Sequence, residues 1–338
     1  MADITVIGAG SWGIALATVL CKNGHNVTIW SIMKQEIDML KETHEHKDKL
    51  PGVILDDSIQ FTDSIEEAAN GKDIYVMAVP SPYTRSTSHL FAPYIEKGKI
   101  IVNVAKGIEE ETLDTLTDII NEEIPQAITA VLSGPSHAEE VSRGIPTTCV
   151  VGADSKETAE YIQTLFMNEY FRVYTSPDVL GIELGGALKN VVALAAGIAD
   201  GLGYGDNTKA ALITRGIHEI ARLGIAMGGS EESFTGLTGI GDLIVTCASM
   251  HSRNRRAGIL IGQGKTMQEA MDEVKMVVEG VYSAKAAIKL AEKYGVEVPI
   301  IEQVNLVLFN DKKAAEALKD LMSRDKKAEA STLSWSKH

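Results

Sequence analysis

The residues of this 338-residue chain whose types and spacing suit chemistry fall into a few short motifs. Gly8-x-Gly10-x-x-Gly13 stands between a β-branched run and a helix-forming one. Gly8 permits a tight turn, Gly10 lets backbone approach a pyrophosphate, and Gly13 lets a helix pack on a strand. The N-terminus of that helix then faces phosphate oxygens. In this context dinucleotide binding is favoured over a plain strand-to-helix turn. Past the second strand, at Trp30-Ser31-Ile32-Met33-Lys34, an NAD-specific site would offer Asp or Glu, and none stands there. Lys34 is the only nearby cation; it reads equally as a phosphate contact and as a solvated lysine at a helix start.

Five further motifs carry polar groups. Lys106, in Asn103-Val104-Ala105-Lys106-Gly107, follows a strand at the edge where open parallel sheets bind ligands. Ser133-Gly134-Pro135-Ser136-His137-Ala138 repeats that placement, with small residues that expose backbone N–H groups. Lys189 lies in the apolar stretch 184–198, and periodicity leaves two readings open. It is either a buried amine whose lowered pKa suits a general base, or a lysine snorkelling from a helix edge. Asp242 closes a glycine-flanked loop, Thr238-Gly239-Ile240-Gly241-Asp242. Ser252-Arg253-Asn254-Arg255-Arg256 is the densest basic cluster, and its arginine forks suit the phosphate of a compact metabolite. His44-x-His46, with Glu42 and Glu45, reads as a polar surface loop, and no metal site is expected.

Charge narrows the partners. Acidic residues outnumber basic ones, 46 to 32, for a net charge of -14. Such a surface repels nucleic-acid backbones and anionic lipid, so an anionic substrate needs a local basic cluster in a cleft. Cys21, Cys149 and Cys247 are sparse and form no CxxC, which suggests reduced thiols in a cytoplasmic protein. Met1-Ala2-Asp3 lacks the basic stretch of a signal peptide, and no apolar run approaches the ~18 residues of a membrane helix.

The elements that must position these residues divide in two. Apolar runs at 4–7, 26–30, 74–79, 100–104, 128–132, 147–151 and 171–174 predict strands. Helical stretches such as 113–123 and 158–166 separate several of them, which predicts a largely parallel sheet covered on both faces. From Val179 onward helical periodicity takes over, as at 209–227, 282–294 and 300–309. The boundary is expected between residues 180 and 190, and the lysine-rich tail after Leu321 is expected to fray.

Together these motifs resemble the bacterial NAD(P)-dependent glycerol-3-phosphate dehydrogenases. The likeness is carried by residues 8–13, 103–109, 133–140, 185–190, 201–207, 236–243, 252–254 and 277–280, in order along residues 2 to 325. It implies a Rossmann-type domain over 1–185 and an all-helical domain like the C-terminal one of 6-phosphogluconate dehydrogenase over 186–325, with a polar tail over 326–338. It also implies reversible reduction of dihydroxyacetone phosphate to sn-glycerol 3-phosphate with NAD(H) or NADP(H), supplying glycerophospholipid synthesis. Lys189 would be the acid/base residue. Lys106, Gly134, Ser136, Lys189, Asp242, Ser252, Arg253 and Asn254 would hold substrate. Gly8, Gly10, Ser11, Trp12, Gly13, Lys106, Ala138, Arg253, Val277 and Glu279 would line the cofactor. A homodimer without membrane anchoring is expected. Ile32 and Met33 stand where family members commonly carry His or Arg, and Lys49 where tyrosine is common, so discrimination for NADPH is expected to be weak. Another two-domain hydroxyacid dehydrogenase shares the glycine loop, but Gly239-Ile240-Gly241-Asp242 and Ser252-Arg253-Asn254 count against it. A non-catalytic NAD-sensing protein would have no use for Lys189 and Asp242 beside a phosphate cradle.

Overall fold

The computed structural model describes residues 1–326, 328 and 329; the rest of the expected tail over 326–338 lies outside the described residues. Strands β1 (Asp3–Ile7), β2 (Asn26–Trp30), β3 (Gln60–Thr62), β4 (Ile74–Met77), β5 (Ile100–Asn103), β6 (Ile128–Ser133), β7 (Thr147–Ala153) and β8 (Phe171–Ser176) form one sheet. Its order is β3-β2-β1-β4-β5-β6-β7-β8, and neighbours are parallel except β6 and β7. Helices α1 (Ser11–Lys22), α2 (Lys34–Thr43), α3 (Ile65–Ala69), α4 (Thr84–Phe91), α5 (Leu116–Glu123), α6 (Ala138–Val141) and α7 (Lys156–Phe166) are interleaved with the strands.

The strands are apolar on both sides because both sides are covered. Ile4, Val6 and Val76 pack into one core with Ile14 of α1, Ile37 of α2 and Ile162 of α7. Ile7, Tyr75 and Met77 point the other way, toward Phe91 of α4 and Ile120 of α5. Each fully buried Ile or Phe of this kind contributes about 1.5–3 kcal/mol. The register sets Ile7 beside Trp30 and Met77, and Met77 beside Asn103, so these strands end level. The loops after them share one edge, and the strand order reverses between β1 and β4, the place for a ligand crevice.

The remaining helices are α8 (Val179–Gly201), α9 (Asp206–Ala226), α10 (Glu231–Thr235), α11 (Asp242–Ala248), α12 (Arg253–Gly262), α13 (Met267–Val274), α14 (Glu279–Tyr294), α15 (Pro299–Phe309) and α16 (Ala314–Met322). They enclose α8, which is buried from Gly181 to Ala199. Strand gives way to helix between Ser176 and Val179, so residue 185 falls within α8.

Several local expectations need correction. α8 is 23 residues long and apolar enough to cross a membrane, which the run-length reading missed because Glu183, Lys189 and Asn190 interrupt it. Its most apolar stretch is 89% buried inside the protein. The helix expected from 113 begins at Leu116, because Leu113 has φ +69° and Thr115 caps the helix in a reciprocal box with Asp118. Edge strand β3, three residues long, was too short to announce itself. The glycine-flanked loop before Asp242 is a π-helical turn, Leu237–Gly241, running into α11.

Candidate active site

At the end of β1 the three glycines have separate uses. Gly8 has φ +118°, its N–H donates to Trp30 O at 2.8 Å, and a Cβ there would meet Ala78 O at 2.9 Å. A Cβ on Gly13 would meet Gly8 O at 2.3 Å, so α1 seats directly on the turn. Gly10 faces open space, its nearest neighbour Ala78 O at 3.9 Å. Gly10 is also the N-cap of α1 and supplies no side-chain acceptor. Bare first-turn N–H groups beside an open glycine fit the pyrophosphate of a dinucleotide. Ser11 and Trp12 form the first turn above it.

The carboxylate absent from the end of β2 in sequence is present in space. Glu36, in the first turn of α2, accepts a hydrogen bond from the Ser31 hydroxyl at 2.8 Å and pairs with Lys49. His46 Nε2 lies 3.6 Å from it. Burial alone would raise the Glu36 pKa, but the hydrogen bonds from Lys49 and Ser31 and the nearby His46 ring hold it at about 2. His46 is 2% exposed, so it departs from the surface-loop reading, while Glu42 is exposed and His44 and Glu45 partly so. Ile32 and Met33 stand exposed at the rim, and Lys34 is an exposed first residue of α2.

Beyond β5 and β6 the two halves of the chain meet. Asp242 is buried and receives one lysine on each oxygen: Lys189 Nζ at 2.9 Å from Oδ1, and Lys106 Nζ at 2.6 Å from Oδ2. Lys106 also donates to Gly134 O at 3.0 Å, and Lys189 to Thr246 Oγ1 at 2.6 Å. Burial would push the Asp242 carboxyl up, but the two ammonium groups hold it below its ordinary value. Lys189 is 6% exposed, which closes the two readings in favour of burial. Desolvation brings its pKa down to about 8; Asp242 opposes the shift and Lys106 adds to it. Thr238 of the π-helical turn ties this centre to the sheet by donating to Ser133 Oγ at 3.0 Å. Ser136 donates to Gly134 O, and Ala138 is a buried first residue of α6.

Arg253 opens α12 beside this centre, partly exposed and with no hydrogen bond or ion pair among the described residues. Burial pulls its guanidinium below the ordinary value, against the attraction of Glu279 and Glu139. Its neighbours are engaged elsewhere. The Ser252 hydroxyl caps α12 by accepting from Arg255 N–H, and Arg255 pairs with Asp200 at 2.8 Å. Asn254 is buried, donating to Asn190 Oδ1 at 2.9 Å and accepting from Gly280 N–H at 2.8 Å. That link fixes α12 to α8 and to α14, where Glu279 accepts from the Ser81 N–H at 3.1 Å and from its hydroxyl. Val277 precedes α14 and is partly exposed. The chemistry this arrangement offers is a cationic amine with a near-neutral pKa and a free guanidinium, reached from a dinucleotide cradle.

Comparison with known proteins follows the same outline. Residues 3–159 match the family model for the NAD-dependent glycerol-3-phosphate dehydrogenase N-terminus, and residues 178–319 that for its C-terminus. The chain belongs to this family. Among similar proteins, the glycerol-3-phosphate dehydrogenase [NAD(P)+] of Agathobacter rectalis is 67% identical over 335 residues, covering 99% of this chain and all of that one. That of Fusobacterium nucleatum is 65% identical, covering 97% of this chain and 99% of the relative. The crystal structure of glycerol-3-phosphate dehydrogenase from Coxiella burnetii superposes with a TM-score of 0.93 at 34% identity, covering 96% and 99% of the two chains.

Within this family fold the motifs of Lys106, Gly134, Lys189 and Asp242 meet directly, while Arg255 and the side chains of Ser252 and Asn254 turn to internal partners. Sequence reasoning missed Thr246, Glu36 and Glu183. Thr246 stands four residues after Asp242 on one helix face, a spacing that could have found it.

Proposed function

We propose that this protein reversibly reduces dihydroxyacetone phosphate to sn-glycerol 3-phosphate with NAD(P)H. The observation that carries the reading is the buried Lys189–Asp242–Lys106 group, with Lys106 delivered from the same sheet edge as the glycine loop and Arg253 unpaired among the described residues. A bound reduced nicotinamide supplies the hydride. Lys189 donates a proton to the C2 oxygen, so carbonyl, hydride and proton balance to a secondary alcohol; in reverse it takes that proton back. Asp242 holds both ammonium groups in place, and Lys106 keeps positive charge near the oxygen as it becomes an alkoxide. Arg253 binds the phosphate through its fork, with donors from Lys106, the Gly134–Ser136 loop and the start of α12. Gly8, Gly10, Ser11, Trp12 and Gly13 hold the pyrophosphate end of the cofactor, and Ala138, Val277 and Glu279 line the rest.

The reading assigns cofactor binding mainly to 1–185 and chemistry to 186–325, and places a homodimer in the cytoplasm without a membrane anchor. The burial of α8 and the three free cysteines support that placement; sedimentation velocity tests the dimer. Loss of NADH or NADPH absorbance on adding dihydroxyacetone phosphate tests the reaction. An enzyme inert to that substrate but active on an unphosphorylated hydroxyacid pair would overturn it.

A further inference from the structure

Glu183 has no part in the chemistry above, yet it sits 6% exposed on the helix that carries Lys189. A carboxylate so far from water is tolerated only when hydrogen-bonded. Oε1 accepts from the Thr117 N–H at 3.0 Å and from Asn103 Nδ2 at 3.2 Å, and Oε2 accepts from the Thr117 hydroxyl at 2.5 Å. Burial raises its pKa, and the bonds from Thr117 oppose that.

The path continues from Asn103. This residue ends β5, and its Oδ1 accepts from the Ala105 N–H at 3.1 Å while Nδ2 reaches Ala105 O at 3.2 Å. Lys106 is next in the chain, with its ammonium on Asp242. One carboxylate on α8 thus holds the loop that delivers Lys106 to the same Asp242 that Lys189 grips from α8 itself.

We propose that Glu183 is a positioning residue: acting through Asn103, it sets where Lys106 meets Asp242 and so how much positive charge faces Lys189. This rests on Lys189 being the proton donor. The titratable groups facing Lys189 are Asp242 and Cys247 of α11, Lys106 after β5 and His137 before α6. The Cys247 thiol is pushed up to about 12 by burial and stays neutral, and burial lowers the His137 pKa. Lys106 is therefore the cation whose retreat changes the balance. Without it nearby, the Lys189 pKa rises, since Lys106 depresses it and Asp242 becomes free to favour the ammonium.

Glutamine is the informative replacement. Its carbonyl oxygen can keep both bonds now made to Oε1, while its amide faces the Thr117 hydroxyl, which can turn to accept. Alanine abandons Asn103 and Thr117 together. In the full-length enzyme, Glu183→Ala should lower kcat by about 10- to 100-fold, the scale of a small misplacement at a catalytic centre. It should also move the alkaline fall of the reduction rate to higher pH. Glu183→Gln should keep most of the rate and the parent's alkaline limb. Adding Glu183→Ala to Lys106→Ala should cost little more than Lys106→Ala alone, because both act on one contact. A merely structural role would lower stability, leave the alkaline limb in place and multiply the two losses; either of the last two results overturns the proposal. If Glu183→Ala fails to fold, Asn103→Ala cuts the same path and must shift the same limb upward. A parent enzyme that does not reduce dihydroxyacetone phosphate would overturn the function instead. The NMR titration of labelled Lys189 in parent and variant still tests the positioning, an unmoved midpoint overturning it.

Discussion

In the proposed reaction Lys189 must be charged enough to give a proton and uncharged enough to take one back. Its surroundings place that balance at about pH 8, through burial opposed by Asp242. The sign of the pH dependence follows. The ammonium is present below its pKa, so reduction should fall as pH rises through about 8, while oxidation of glycerol 3-phosphate, which needs the free amine, should rise across the same range. Lys189→Ala should lower kcat by at least ~100-fold, the usual scale for general acid–base catalysis, with cofactor binding kept because the glycine loop is elsewhere. Near-normal turnover in a folded Lys189→Ala protein, or limbs that ignore pH 8, would sink the assignment. Here the limit of sequence reading is physical. A helix buried all round has no polar face, so periodicity cannot say what covers each side of Lys189. Glu183 was illegible for a related reason: its partners are 66 and 80 residues away in the chain. The glycine loop was legible because turn, strand and helix there are contiguous.

Two pairs of elements set geometry that no single residue does. α8 and α12 cross with backbones touching: a Cβ on Gly258 would meet Leu194 O at 2.3 Å, and one on Gly197 would meet Arg255 O at 2.1 Å. Since Lys189 rides on α8 and Arg253 on α12, this contact fixes the proposed proton donor relative to the guanidinium. Gly258→Ala gains about 1 kcal/mol of helix propensity, but forcing the helices apart should cost about 1–3 kcal/mol more than that gain and reduce activity. A denaturation midpoint above the parent's would show that the helices part without strain. The second pair is β2 and α2. Glu36 neutralises Lys49 at the strand end where a Rossmann-type sheet meets the adenosine ribose. NADH and NADPH should therefore be used with similar kcat/KM. Glu36→Gln frees Lys49 and should shift the ratio toward NADPH, while Lys49→Ala exposes the carboxylate and should shift it toward NADH. The same ratio in both variants would place the discrimination elsewhere. The strand end looked empty of acid because the carboxylate arrives from the first turn of α2, six residues past Trp30. The π-helical turn before Asp242 was hidden by its glycines, whose low helix propensity is overridden by packing on α8 and the bond to Ser133.

Across the whole molecule, the charge of -14 opposes an incoming phosphate dianion, so binding has to rest on local, fixed donors. The site concentrates them: Lys106 comes from the sheet edge and Lys189 and Arg253 from the helical half, with the buried carboxylate of Asp242 shared by both lysines. Of the three cations only Arg253 lacks an internal partner among the described residues, which makes its fork the available one. Lysine in its place keeps the charge and loses the bidentate geometry, so Arg253→Lys should already weaken binding. Arg253→Ala should raise KM for dihydroxyacetone phosphate by roughly 10–100-fold, matching the ~1.5–3 kcal/mol of a hydrogen bond to a charged group. Unphosphorylated dihydroxyacetone is the control. It should be a poor substrate for the parent enzyme and hardly worse for the variant, because nothing is left for the guanidinium to hold. If both substrates suffer by the same factor, Arg253 is not the phosphate ligand. Its attraction to Glu279 would then be holding the cofactor side of the cleft together.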